Sequence, residues 1–306
     1  MSRTRISVAA RSFAALGLVA AFALSGCGIA GGGDTTASAG TKSDPVVIGI
    51  VSNGEDYWKT FQQKAQEAGI YVELKNFSDY QLPNQGLTDG DLDLNQFQHL
   101  QFLADYDVKT KSDLTPIGAT AVYPLNLYST KVTDVAKIPA GAEVAIPNDA
   151  SNQARALLVL QDAGLVTLKG GGTSFSTPAD VDTAKSKVKV TALKADQTPA
   201  ALGDPKVYAA VVNNDYVPNL PAASRKPVYT TDADSSANDP YINIFVSRKA
   251  DANNATFKKL VEIYHQTAIT DGVVEASGGT GVIKDNSPAQ LQSILATIEK
   301  NEKAQG

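Results

Sequence analysis

Few residues in this 306-residue chain could do chemistry, and the usual catalytic arrangements do not assemble from them. The histidines are only two, His99 and His265. A Ser-His-acid hydrolase presents its nucleophile on a glycine-flanked elbow, and no G-x-S-x-G occurs. His265 stands in a helical run beside Ile263, Tyr264 and Thr267, which suits a surface or groove position. Asp89, Asp91 and Asp93 alternate as they would in a calcium loop, but the closing Glu and further oxygen ligands are missing. An acidic turn fits them better than a metal site. The glycine runs 31–33 and 170–172 are not followed by Lys-Ser/Thr, so neither is a P-loop, and no G-x-G-x-x-G follows the first strand. The expectation is a protein that is not an enzyme and needs no metal or cofactor.

Two groups remain, and both suit binding. Residues 76–102 (NFSDYQLPNQGLTDGDLDLNQFQHLQF) hold a turn-rich stretch and then Asp93, Asn95, Phe97 and His99 in alternation. Tyr80, Phe97 and Phe102 bring aromatic rings, and no Lys or Arg occurs in the segment. Such a mixture fits a small ligand with an apolar side chain and a polar head, and lacks the cations that nucleic acid requires. For His99 a structural polar role and a ligand role are both open. Arg155 is the second group. It lies near the start of a helix that follows Asn148-Asp149-Ala150-Ser151-Asn152. A guanidinium there opposes the helix dipole unless it meets an anion, and with free backbone N–H groups it makes a carboxylate site. A solvent-facing side chain or a pair with Asp149 are the alternatives.

The elements that must position these groups alternate between strand and helix. Residues 46–51 (VVIGIV) read as a strand buried on both faces. Asn53 is the expected cap of a helix carrying Trp58, Phe61, Ala65 and Ala68, stopped by Gly69, and 70–74 is a second strand. Such a unit implies parallel pairing. A helix is expected over 96–106 and an extended apolar run over 117–127. The alternation restarts with a strand over 143–147, a helix over 153–162 stopped by Gly164, strands over 188–193 and 207–212, and a short helix over 198–202 between them. The proline-rich 218–227 is a connection, 241–247 a strand, and helices over 255–269 and 288–302 follow. Two α/β clusters of this kind imply two lobes. Ligands in α/β sheets sit beyond the carboxyl ends of strands, here at 52–54, 76–80, Tyr123, 148–152 and 213–215.

The first residues read as a lipoprotein leader. Arg3, Arg5 and Arg11 form a basic region, 12–24 is a short apolar run, and Leu24-Ser25-Gly26-Cys27 closes it. The run is too short to span a bilayer. Cys27, the one cysteine, stands where acylation would occur, which excludes a disulfide within the chain. Residues 1–26 are then the signal peptide, and 27–44 the acylated cysteine with a Gly/Ser/Thr tether. Cleavage removes three arginines and no acid, leaving 24 basic against 32 acidic residues, a net charge of −8. That balance argues against a polyanionic partner. The expected location is the extracytoplasmic face of a bacterial cell membrane, held by lipid alone.

Beyond composition, SDYQLPNQGLTDGDLDLNQFQH, VYPLNLYS, VAIPNDASNQARALLVLQDAGLVTLK, AAVVNNDYV and DPYINIFVSR resemble the methionine-binding lipoproteins, the NlpA/MetQ-type solute-binding proteins of ABC importers. They stand in family order over nearly all of residues 45–285. The resemblance implies an α/β, two-lobed periplasmic-binding-protein fold with its ligand cleft between the lobes. It implies a lobe of residues 45–127 plus 236–306 and a second of 128–235. The protein would capture methionine, L-methionine first, and pass it to an ABC permease with a cytoplasmic ATPase. D-methionine, a methionine-containing dipeptide or another apolar amino acid are alternatives, as is a surface interaction lipoprotein with a vestigial pocket. By the same resemblance Arg155 would bind the ligand carboxylate with help from Asn152. Asn213 and Asn243 would hold its amino and carboxyl groups, and Tyr80, Phe97, His99 and Phe102 would enclose the thioether, with Tyr123 nearby. Phe102 departs from the usual Tyr. SNGEDYWKTF replaces a small-residue loop, which is expected to bring Trp58 to the cleft mouth, and TTDADSSAND precedes Tyr241 as an insertion.

Overall fold

The computed structural model describes Ser38 and residues 40–52, 54–231 and 236–305. The leader, Cys27, Asn53 and part of the 230–239 insertion lie outside them. Among the described residues no helix is long and apolar enough to cross a membrane.

The strands are β1 (Val46–Ile50), β2 (Val72–Asn76), β3 (Leu94–His99), β4 (Thr115–Ala119), β5 (Ala121–Val122), β6 (Asn126–Tyr128), β7 (Glu143–Pro147), β8 (Lys189–Leu193), β9 (Val207–Val212), β10 (Asn243–Ser247) and β11 (Val282–Ile283). The helices are α1 (Asp56–Glu67), α2 (Pro83–Asp89), α3 (Leu100–Thr110), α4 (Ala150–Asp162), α5 (Thr198–Ala201), α6 (Ala255–Tyr264), α7 (Thr267–Ala276) and α8 (Pro288–Lys303). One sheet runs β2-β1-β3-β10-β4, a second β6-β9-β7-β8, and β11 pairs with β5. Each large sheet anchors one lobe of a two-lobed α/β fold.

In the first lobe β1 lies parallel to β2 and β3, and β10 runs antiparallel between β3 and β4. Apolar side chains leave this sheet on both faces. Trp58, Phe61, Phe257, Ile263 and Val273 pack α1, α6 and α7 on one side. Leu87, Leu100, Leu103, Leu291 and Ile298 pack α2, α3 and α8 on the other. In the second lobe β7 is parallel to β8 and β9, β6 is antiparallel to β9, and α4 buries Leu157 and Leu160 against Val144, Ile146 and Val211. The chain crosses between the lobes after β5 and returns before β10. Asn126 and Leu127 already pair with β9 in the second sheet, although the sequence counted them with the first lobe.

Several expectations are corrected. Residues 96–99 are strand, not helix: β3 is buried along its whole length between β1 and β10. Its amides satisfy one another, with Asn95 Nδ2 donating to Asn84 Oδ1 (2.9 Å), Asn84 Nδ2 to Gln98 Oε1 (2.7 Å) and Gln98 Nε2 to Asn95 Oδ1 (2.9 Å). A central strand tolerates polar side chains once they are paired internally. The turn-rich stretch contains a helix, α2, because Pro83 suits its first turn and Gly90 ends it at φ 86°. The N-cap position of α1 is Glu55, the expected cap Asn53 lying outside the described residues, and Ala68 is exposed just beyond the helix end. The helix expected over 255–269 breaks at His265 and Gln266 into α6 and α7. The last tether residues are docked: Gly40 O accepts from Tyr71 N (2.9 Å) and Ser38 N donates to Asp93 Oδ1 (3.0 Å).

Candidate functional site

Strand ends converge on one cleft. The carboxyl ends of β3 and β9 deliver His99 and Asn213, and antiparallel β10 begins there with Asn243 opposite His99. The first two turns of α4 add Asn152 and Arg155. All nine residues expected to bind ligand line this cleft: Tyr80, Phe97, His99, Phe102, Tyr123, Asn152, Arg155, Asn213 and Asn243. Gln98, Pro124, Leu125, Asn214 and Asp215 line it as well. The cleft holds about 420 Å³ of space not filled by atoms, its opening to solvent included. Asp215 belongs to a strand-end cluster visible in sequence, but nothing in its spacing marked it as lining. Gln98 gave no signal, being one amide among several on β3.

Polar contacts set the chemistry of one end. Backbone N–H of Phe102 donates to His99 Nδ1 (3.1 Å), so the ring proton sits on Nε2 and points at Asn152 Oδ1 (3.2 Å). Burial, then the Arg155 charge, push the His99 pKa down to about 3, so the imidazole is neutral. Asn213 Nδ2 donates to the same Asn152 oxygen (3.0 Å), and Asn152 Nδ2 donates to Asp149 Oδ1 (2.8 Å). Those bonds leave the buried Asn213 Oδ1 with no partner among the described residues. It can accept a hydrogen bond from a ligand.

Arg155 is 8% exposed. Nη2 donates to Tyr123 O (2.7 Å), and the guanidinium lies over the Tyr241 ring, 4.2 Å from its centroid. Burial lowers its pKa to about 10, which leaves it charged at neutral pH. Its contacts are a carbonyl and an aromatic face, neither of which neutralises the charge. The alternative pair with Asp149 is not formed: Asp149 caps α4, accepting from Asn152 N (3.0 Å) and Ser151 Oγ (3.3 Å). That cap also occupies a backbone donor expected for the anion, so the guanidinium carries more of the site than the helix terminus does.

At the other end three rings pack together, Phe102 edge to face with the other two and Tyr80 tilted on Phe97. Phe97 and Phe102 are 5.7 Å apart, and Tyr80 stands 6.0 Å from each. Trp58 is not at the mouth of the cleft. It is 4% exposed and packs on Phe61 and Tyr264 in the first-lobe core. His265 Nε2 donates to Ala119 O (2.9 Å) as the cap of α6, away from the cleft.

The chain as a whole has known counterparts. The D-methionine-binding lipoprotein MetQ of Escherichia coli (strain K12) is 33% identical over 279 residues, covering 89% of this chain and 97% of that protein. The substrate-binding protein of a methionine transporter from Streptococcus pneumoniae superposes with a TM-score of 0.71 at 34% identity, over 78% of this chain and 95% of that one. A nutrient-binding protein from Burkholderia cenocepacia, solved bound to methionine, gives a TM-score of 0.71 at 32% identity, over 78% and 99%. The profile of the NlpA lipoprotein family matches residues 46–285. On that match and those identities, the chain belongs to the NlpA lipoprotein family of solute-binding proteins.

Proposed function

We propose that the protein captures methionine, L-methionine first, in the cleft between its lobes and passes it to an ABC importer. The observation that carries this reading is a buried, charged Arg155 with no carboxylate partner among the described residues. Desolvating a guanidinium costs free energy that a ligand carboxylate would recover through two parallel hydrogen bonds. The ammonium then falls to the unpartnered Asn213 Oδ1 and to Asn243. The rings of Tyr80, Phe97 and Phe102 supply the polarisable wall that a thioether prefers. The names of the relatives support methionine without its configuration, and the Escherichia coli one carries the D form. Binding would proceed by hinge closure where the chain crosses between lobes, with no chemistry done on the ligand. Acylated Cys27 would hold the protein at the extracytoplasmic membrane surface beside the permease and its cytoplasmic ATPase.

Mass spectrometry of ligand released from denatured protein (residues 28–306), then calorimetric titration of the stripped protein with L- and D-methionine, tests this. Released methionine and tight rebinding are expected, with the L form preferred. Preference for D-methionine, a methionyl dipeptide or another apolar amino acid would reassign the ligand. No ligand and no binding would favour a surface interaction lipoprotein with a vestigial pocket.

A further inference from the structure

We propose that Asp215 is a positioning residue of this pocket: with Tyr80 it forms a clasp that joins the lobes over the ligand side chain, without touching the ligand's ionic head. What the clasp encloses rests on the methionine reading above; the clasp itself does not.

Tyr80 lies on the loop after β2 in the first lobe, and Asp215 follows β9 in the second. The Tyr80 hydroxyl donates to Asp215 Oδ2 at 2.8 Å, directly across the cleft. The contact is not isolated. Tyr216 Oη donates to Ser78 O (3.4 Å), Lys194 Nζ lies 3.8 Å from the Asp79 carboxylate, and the Tyr80 and Tyr216 ring centroids are 5.1 Å apart with the planes tilted at 50°. Residues 78–80 thus bridge to three second-lobe positions. Val51, Tyr80 and Phe97 also share one apolar cluster with Ala210, Val212 and Tyr216, so the bridge is backed by packing.

The clasp and the ionic head are separate groups. Arg155 donates to Tyr123 O and lies over the Tyr241 ring, whereas Asp215 Oδ2 accepts from the Tyr80 hydroxyl, so the two use different contacts. Asp215 is the one acid among the lining residues, and its oxygens are engaged by Tyr80 and Asn214. That engagement assigns it to holding the lobes and not to the ammonium.

A carboxyl enclosed by closure makes closure depend on pH. Burial first, then the Glu55 charge, push Asp215 up to about 7 from a usual 3.8. Opening returns it to solvent and to the usual value. Protonated Asp215 therefore favours the closed form; closure is easiest below about pH 4, grows costlier up to about pH 7, and is unchanged above. The groups facing this corner are Glu55, Asp79, Asp149, Lys194 and Asp196, with the phenols of Tyr57, Tyr123, Tyr216 and Tyr264. Burial also raises Asp149, and Glu302 beside Asp105, on another seam between the lobes, is raised to about 7. The wild-type profile alone cannot single out Asp215, but Asp215→Asn can, since it keeps an acceptor for Tyr80 and loses the charge.

The test titrates L-methionine calorimetrically into wild type, Asp215→Asn and Tyr80→Phe at about pH 5 and about pH 8, with small-angle scattering of each ligand-free protein. Expected are a wild-type Kd about tenfold weaker at the higher pH, an Asp215→Asn Kd flat to within about twofold and near the tighter value, and Tyr80→Phe weakened about tenfold at the higher pH. A loss of about tenfold or more in Asp215→Asn at the higher pH would place its carboxylate on the ligand ammonium and overturn the clasp. A wild-type slope retained in Asp215→Asn would overturn it equally. If wild type binds no methionine, the ligand reading falls while scattering still judges the clasp. The clasp requires wild type to be wider at the higher pH and Asp215→Asn compact at both; a wild-type radius that ignores pH refutes it.

Discussion

Arg155 shows how a single side chain reports on a missing partner. Buried guanidinium groups are held in proteins by carboxylates or by dense hydrogen bonding, and this one has a carbonyl and a ring. Arg155→Ala should weaken methionine binding more than about tenfold, because the ligand carboxylate is then buried without a counter-charge. Arg155→Lys should recover little of that loss, since a lysine has neither the bidentate fork nor the flat face that stacks on Tyr241. Calorimetry of both variants checks this, and near-unchanged binding in the alanine variant would show the pocket assignment to be wrong. Residue types made part of this end readable: the rings of 76–102 and Arg155 suggested an apolar wall and a carboxylate site, whereas Asn152, Asn213 and Asn243 were singled out only by the family resemblance. Trp58 was misplaced for a geometric reason. The direction a helical side chain faces depends on where the helix starts, and α1 starts after Glu55, which turns the indole into the core.

At the level of elements, β3 is where sequence patterning and structure diverge. Asn95, Gln96 and Gln98 carry no apolar alternation, so nothing in the string marks a central strand. Their burial is paid for by side-chain pairing with Asn84 and Thr120, which belong to elements distant in sequence. Only tertiary contact reveals such an arrangement. By contrast β7, β9 and α4 were legible, because continuous β-branched runs and an amphipathic period point to one conformation each. The packing of β4 on α6 allows a sharper test. A Cβ on Gly118 would lie 2.3 Å from Val261 Cγ1, a side chain held by the helix above it. Gly118→Ala should lower unfolding stability by about 1–3 kcal/mol, measured by urea denaturation, with Val261→Ala in the same chain restoring part of the loss.

For the whole molecule, pH acts on stability as well as on closure. Burial raises the Asp107 carboxyl to about 7 from 3.8, and Asp107 Oδ2 has no hydrogen-bond partner. The folded form therefore holds a proton that the unfolded chain has released, so this group's contribution is full below about pH 4 and is lost as pH rises to about 7. Asp107→Asn should be more stable than wild type by about 2 kcal/mol above that range and no more stable below about pH 4. Thermal melts across the two pH values would read the difference, and equal gains at both would refute the assignment. The strand order also dictates when each lobe can be completed. β6 to β9, the whole second sheet, come from one continuous stretch of chain, whereas the first sheet has β10 inserted between β3 and β4. A polypeptide emerging amino end first can finish its second lobe while β3 and β4 still lack the strand that joins them. The lobe begun first is thus completed last, and until residue 247 is free the edges of β3 and β4 stay open to wrong partners. If the chain crosses a membrane as its leader implies, translocation would prolong that interval, and the first lobe would be the part with most need of protection.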